Sequence, residues 1–220
     1  MNETARPHTP PLGHKALTPL YDLAIALLTR ERKWRRAFIE DIGPKPNDKI
    51  IDIGSGTGSL AVAIHTVSPQ TAYLGIDPDE DAVRRAKAKN ERKKSNAKFE
   101  VGYFSSDAHF AKPAPDKIIS SLVLHQVPLL EKQRILEEIY QALKPGGFVH
   151  IADYGQQKGL MRFLFRATVQ ALDGVEDTQP NADGIVPQLL NDAGFADVVE
   201  VERIPTPTGT ISIYRTYKMS

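Results

Sequence analysis

Residues 49–60 read KIIDIGSGTGSL: an apolar run ending in Asp52, then Gly54, Gly56 and Gly58 on alternate positions with Ser55 inside the turn, then a helix-like segment. Glycine lacks the Cβ that blocks sharp turns and close approach of a ligand, and a helix start offers unbonded amide donors, so this stretch reads as a strand feeding a nucleoside-binding turn. A second apolar strand, expected over Thr71–Ile76, ends in Asp77 and Pro78. An acid at the tip of the second strand of a βαβ unit accepts both hydroxyls of an adenosine ribose. Together the two tips point to an adenosine-containing cofactor.

The glycine spacing narrows the cofactor. A dinucleotide turn, G-x-G-x-x-G, packs a pyrophosphate on the helix N-terminus, whereas this chain has G-x-G-x-G preceded by Asp52. A carboxylate there repels phosphate and attracts an ammonium, directly or through water. S-adenosylmethionine carries that ammonium and no phosphate. The rival reading is a phosphate-binding turn, or a turn with no ligand. With D-I-G-S-G-T-G as its first motif, the chain resembles the class I S-adenosylmethionine-dependent methyltransferases.

These residues need a scaffold, and the chain can supply one. At 220 residues, 41% hydrophobic and 25% charged, it can bury one substantial core and is most simply one domain, 17–220. Its net charge of +1 does not draw it to nucleic acid. Zero cysteines exclude a disulfide scaffold, a thiol nucleophile and thiolate metal ligands. Residues 1–20 lack a signal-like apolar region and no stretch is long enough to span a bilayer, so a cytoplasmic protein is expected.

Residues 1–16, rich in proline, read as a flexible lead-in. Apolar positions from Leu20 to Ile42 recur at helical spacing with a break at 29–31, predicting two helices that form an N-terminal cap over 17–43. Helices are expected over 59–66, 79–94, 129–143 and 184–193. Strands are expected over 98–103, 117–123, the run following the KPGG turn (144–147), 196–203 and 210–217. Alternating strands and helices predict an α/β fold: a Rossmann-like doubly wound sheet of seven strands with helices on both faces. The link Pro205–Gly209 is too short for a parallel crossover, so the last strand must run antiparallel.

That ending is similar to the sheet of class I methyltransferases, and the resemblance now extends from Tyr21 to Lys218. LYDL, RKWRRAF, SSLVLHQVP and LKPGGFVHIADYG resemble the branch holding the ubiquinone/menaquinone C-methyltransferases and other bacterial small-molecule enzymes. The resemblance implies that Asp52 and the Gly54–Gly58 backbone hold the methionine moiety, and that Asp77 holds the ribose. It implies that Asp107 accepts from the adenine amino group with the Ala108 amide facing the ring, and that Tyr21 closes over the methionine carboxylate. Ser120 and Ser121 would meet the ammonium or the methyl group. Asp107 as a loop cap and Tyr21 as a packing aromatic stay open as plainer readings.

Methyl transfer from a sulfonium is an in-line displacement that rests on alignment and electrostatics; a base matters only for a protonated acceptor. His125 and Asp153 are the candidate catalytic residues, placed past the fourth and fifth strands, with an ordinary imidazole able to take a proton at neutral pH. The alternative is that His125 caps a helix and that Asp153 and Tyr154 only end a strand.

The segment GLMRFLFRATVQALDG (159–174) places Leu160, Phe163, Leu164, Ala167 and Ala171 on one stripe beside Arg162 and Arg166, predicting an inserted helix over 157–174. It is read as a lid over an apolar acceptor, or as a dimer or membrane contact, or as a core-packing helix. The basic runs 30–36 and 84–94 read as solvated helix faces rather than RNA contacts. The six histidines show no metal-ligand spacing, so no metal is expected. The expected activity is methyl transfer to a small, partly apolar acceptor by a monomer or homodimer. Phospholipid-amine or RNA methylation, a non-catalytic nucleoside binder and a nicotinamide-dependent oxidoreductase are the alternatives.

Overall fold

The computed structural model describes residues 30–108 and 112–220. Helix α1 (Glu31–Ile42) forms where Trp34, Phe38 and Ile42 recur at i, i+4 and i+8, and this face is buried. It is the second of the two expected N-terminal helices. The lead-in 1–16, the first helix and Tyr21 lie outside the described residues.

Strand β1 (Lys49–Ile53) enters the glycine turn and α2 (Ser59–Val67) leaves it; β2 (Ala72–Asp77), α3 (Glu80–Arg92) and β3 (Lys98–Val101) follow. Asp79 caps α3 by accepting from the amides of Asp81 and Ala82. Next come β4 (Lys117–Ser121), α4 (Leu129–Ala142) and β5 (Phe148–Tyr154). Strand β4 stops two residues before the sequence suggests, because Leu122 turns into the left-handed region at φ 57°.

The insertion after β5 departs from the single helix expected over 157–174. Helix α5 (Gly159–Phe165) runs into a π-helical turn (Arg166–Gln170) and a short helix (Ala171–Asp173). Past Gly174 comes α6 (Val175–Asp183), invisible in VEDTQPNAD because it has few apolar residues and an internal proline. Phe165, Val169 and Gln170 of the helical stretch are buried, whereas Leu160, Phe163, Ala167 and Ala171 of the expected stripe are exposed and Leu164 is half-buried. The extra residue in the wide turn rotates the later positions off a regular helical stripe.

Helix α7 (Val186–Asp192) leads to β6 (Ala196–Thr206) and β7 (Gly209–Tyr217). The seven strands lie in the order β3-β2-β1-β4-β5-β7-β6. Neighbours among β1 to β5 are parallel, and β7 is antiparallel to both β5 and β6. One core, with Trp34, Phe38, Leu60, Val83 and Phe165, joins α1, α2, α3 and α5 to one face. The other, with Ile51, Ile118, Leu136 and Leu190, joins α4 and α7 to the opposite face. Near-continuous apolar strands are what a sheet covered on both faces requires.

Buried charges fix α1 on this sheet. The Lys117 ammonium donates to the Ile42 and Gly43 carbonyls at 2.8 and 2.9 Å and pairs with Asp48 at 2.8 Å, so a cation satisfies the helix C-terminus. Asp41 meets His150 of β5 at 2.6 Å and Arg215 of β7 at 2.8 Å. Among the described residues no helix is long and apolar enough to cross a membrane.

Candidate cofactor and acceptor site

The parallel registers pair Ile53 with both Ile76 and Ser120, and Ser121 with Ala152, so the tips of β1, β2, β4 and β5 form one rim. Ligands in open α/β sheets bind there, outside the carboxyl ends of the strands.

At this rim Gly54 has φ +72°, and a Cβ on it would stand 2.2 Å from Val123 Cγ2. The Gly54 and Ser55 amides donate to the Ile76 carbonyl at 2.8 and 3.1 Å, fastening the turn to β2. Gly56, at φ +51°, has no atom within 4 Å of where its Cβ would be, so the turn is open above it. Gly58, at φ +69°, is pressed instead against Asn90, Ala86 and Phe99 and serves helix packing. Lys89 of α3 donates to Thr57 and Ser59 at 2.9 and 2.7 Å, so one lysine of the basic run 84–94 holds the turn rather than lying on a solvated face.

The half-buried Asp77 carboxylate accepts from the Gly56 amide at 2.8 Å and from the Asp79 amide at 2.9 Å, with Pro78 between them setting the corner. Asp77 thus sits at the mouth of the turn, where a ribose would lie. Replacing Asp77 by alanine is expected to weaken S-adenosylhomocysteine binding by roughly 1–3 kcal/mol, read by calorimetry.

Asp52 is buried. Its Oδ2 accepts from the Tyr73 hydroxyl, and its Oδ1 has no partner. Burial pushes its carboxyl up to about 7, against the opposing pull of the Tyr73 hydrogen bond and Arg35. An orphaned buried oxygen and an open glycine turn fit a cofactor that brings an ammonium. The neighbouring Ser55 hydroxyl is likewise buried and unpartnered.

Asp107 is exposed, on a turn that leans on the last part of α4, where the Ser106 amide donates to Glu138 at 2.6 Å and its hydroxyl to Gln141 at 3.1 Å. The Ala108 amide, expected to face an adenine, donates to the Ser105 carbonyl at 3.2 Å. Ser120 also differs from expectation: its hydroxyl is buried and donates to the Ile53 carbonyl at 3.0 Å, joining β4 to β1 instead of facing a ligand.

His125 follows β4 on a 3-10 turn and is buried. Its Nδ1 lies 2.7 Å from Asp153 and its Nε2 lies 3.6 Å from Asp173 of the insertion, with the Tyr154 ring edge-on at 4.9 Å. Burial opposes its charge, yet the two carboxylates outweigh it and raise its pKa to about 9. With a carboxylate facing each ring nitrogen, the arrangement favours the imidazolium over a resting base. Asp153 is enclosed too: its carboxylate accepts from the amides of Val123, Leu124 and Tyr154 as well as from His125. It organises the turn after β4 rather than facing an acceptor. Nearby, burial lowers Lys132 to about 8 against Asp153 and Asp177, and its ammonium donates to the Val127 and Asp177 carbonyls.

Sequence reasoning missed Tyr73, Lys132 and Asp173. Tyr73 had a faint signal, an aromatic hydroxyl on the strand beside Asp52; Lys132 reads as one more charged residue of α4, and Asp173 had no signal, since only the fold of the insertion brings it to the turn after β4. The basic run 30–36 places Arg35 on Glu31 at 2.5 Å and Arg36 on Glu40 at 2.8 Å.

Residues 44–194 match the family model described as a methyltransferase domain. A ubiquinone/menaquinone biosynthesis C-methyltransferase of Geotalea daltonii is 27% identical over 168 residues, covering 72% of this chain and 71% of its own. Phosphoethanolamine N-methyltransferase 2 of Haemonchus contortus, solved with S-adenosyl-L-methionine, aligns with TM-score 0.66 at 17% identity over 86% of this chain and 53% of that one. Magnesium protoporphyrin IX methyltransferase of Synechocystis, solved with S-adenosylhomocysteine, aligns with TM-score 0.61 at 16% identity over 83% of this chain and 79% of its own. The chain therefore belongs to the methyltransferase-domain family, as a class I S-adenosylmethionine-dependent methyltransferase close to the ubiquinone/menaquinone C-methyltransferase branch.

Proposed function

We propose that this enzyme methylates a small, partly apolar acceptor that enters between the turn after β4 and the insertion after β5. The observation that carries the reading is where exposed apolar side chains gather. Tyr103 follows β3, Leu129 and Leu130 follow β4, and Leu160, Phe163, Leu172 and Val175 follow β5. All seven lie on segments that leave the carboxyl ends of β3, β4 and β5, the edge of the sheet that carries the glycine turn, where an apolar acceptor would meet them.

S-adenosylmethionine, when bound, supplies an electrophilic methyl group on a sulfonium. In this reading Gly54, Ser55, Gly56 and Gly58 shape the cradle, and Asp77, Asp107 and the described Asp52 oxygen orient its polar ends. Val123, packed on Gly54, sets the floor between cofactor and acceptor. Alignment of nucleophile and leaving group then supplies most of the acceleration.

Asp52 gives this cradle a pH signature. Its buried carboxyl has a folded pKa near 7, above the 3.8 of an ordinary aspartate, so without ligand it favours folding most at low pH. The contribution fades as pH rises from about 4 through 7, where burial of the bare carboxylate is fully felt. An ammonium beside it favours the ionised form. Affinity for S-adenosylhomocysteine is therefore expected to rise with pH through 7 and to lose that dependence in Asp52→Asn. A flat profile in the unmodified protein counts against the ammonium contact.

The acceptor is tested with labelled methyl donor and a panel of quinols, phenols, phosphoethanolamine and RNA. Label in a quinol or phenol supports the reading, whereas label in phosphoethanolamine or RNA alone overturns the apolar acceptor. A finer part of the proposal is that the rim rests on a lipid surface. Residues 155–172 carry Lys158, Arg162 and Arg166 and no acid, beside exposed Leu160 and Phe163. Flotation with vesicles containing anionic lipid should carry the protein upward, and no flotation would remove this part.

A further inference from the structure

We propose that Asp173 and His125 form a positioning pair, an ion pair that seats the short helix Ala171–Asp173 against the turn after β4 and fixes the acceptor-side wall. This assignment rests on the acceptor placement above. Its geometry stands apart from that reading. Asp173 comes from the insertion and lies 3.6 Å from His125 Nε2, while Nδ1 on the other side of the ring is held 2.7 Å from Asp153. Asp153 is itself immobilised by three backbone amides, so the imidazole cannot rotate without breaking a buried contact.

The insertion has places where it can bend. Gly159 at φ +50°, Gly174 at φ +87° and Gly184 at φ +90° bracket its two halves, and the first two have no atom within 4 Å of a would-be Cβ. The π-helical turn Arg166–Gln170 lies between them, a feature found often at functional sites. Beyond Gly174 the chain is anchored: Lys132 donates to the Asp177 carbonyl at 2.8 Å and Asn181 to the Tyr154 carbonyl at 3.0 Å. Before the π-turn it is anchored by the buried Phe165. Between these anchors, Asp173 is the charged link from the short helix to the turn after β4.

The groups facing His125 are Asp153 and Tyr154 of β5 and Asp173 of the short helix, with Lys132 of α4 and Asp177 of α6 just beyond. The pair needs the imidazolium, whose folded pKa of about 9 exceeds its ordinary 6.5. Its contribution is therefore complete below about 6.5 and lost as pH rises through 9.

The test is hydrogen–deuterium exchange of peptides spanning 166–183 in the full chain, comparing unmodified protein, Asp173→Asn and Asp173→Glu at pH 7 and pH 10. At pH 7 Asp173→Asn should exchange about tenfold faster there and Asp173→Glu should restore protection, while at pH 10 the asparagine variant and the unmodified protein should converge. Unchanged exchange in Asp173→Asn at pH 7 overturns the pair. So does a difference that persists undiminished at pH 10, since packing rather than charge would then hold the helix. S-adenosylhomocysteine affinity, measured alongside, should stay within about twofold across the variants, because Asp173 lies outside the cofactor cradle. Loss of that affinity in Asp173→Asn would place the residue in the cradle and overturn the assignment. Absence of binding by the unmodified protein would instead sink the methyltransferase reading and leave the exchange result standing.

Discussion

Gly54→Ala is expected to lower stability by about 3 kcal/mol and weaken cofactor binding at least tenfold. The left-handed backbone at φ +72° penalises any Cβ by roughly 1–2 kcal/mol, and the new methyl would meet Val123 Cγ2 at 2.2 Å, which forces repacking worth roughly 1–3 kcal/mol. For a chain of this size that corresponds to a midpoint fall of about 6–12 °C in thermal denaturation. Because Val123 is pushed rather than merely touched, the damage spreads to the turn after β4, whose amides of Val123 and Leu124 are bonded to Asp153. Gly56→Ala is the control. It has the same backbone penalty but meets no atom within 4 Å, so it should unfold less while still obstructing the cradle. Equal stability losses in the two variants would show that Val123 yields freely, and that the contact with Gly54 carries little weight.

Asp153→Ala is expected to cost about 3–5 kcal/mol, the range for removing one member of a buried charged pair. The cost arises because four donors lose their acceptor at once: the amides of Val123, Leu124 and Tyr154, and the His125 ring. His125→Leu should cost less, since Asp153 keeps its three amides while only the imidazole between Asp153 and Asp173 is lost. Urea denaturation of both variants reads the order directly. If His125→Leu proves the more damaging, the histidine rather than the aspartate organises this turn.

The glycine turn, its two acids and the antiparallel ending were legible because each follows from local rules. A positive φ selects glycine, an acid belongs at a strand tip, and a short link forbids a crossover. The sequence also located His125 and Asp153, which the fold brings to 2.7 Å. Their state was not legible, because the pKa of His125 depends on Asp173, forty-eight residues away along the chain and carried by an insertion with no regular period. That irregularity turned the expected apolar stripe outward, while few apolar residues and an internal proline hid α6. Ser120 shows a further limit: a serine at a strand end reads as a ligand contact, but one strand of sheet neighbours decides that its hydroxyl joins Ile53 instead.

The position of β7 has a consequence for how the chain is assembled during synthesis. Among the described residues β5 pairs on its outer side with β7, and β6 pairs with β7 alone. Helix α1, made among the earliest of the described elements, has its Asp41 matched by Arg215 of that same strand. A growing chain therefore carries an open edge at β5, and Asp41 on α1 has His150 of β5 but not yet its arginine partner, until residues 209–217 have emerged. Completion of the sheet waits on translation of its last segment, which makes premature stops before Gly209 a route to aggregation rather than to a smaller working enzyme.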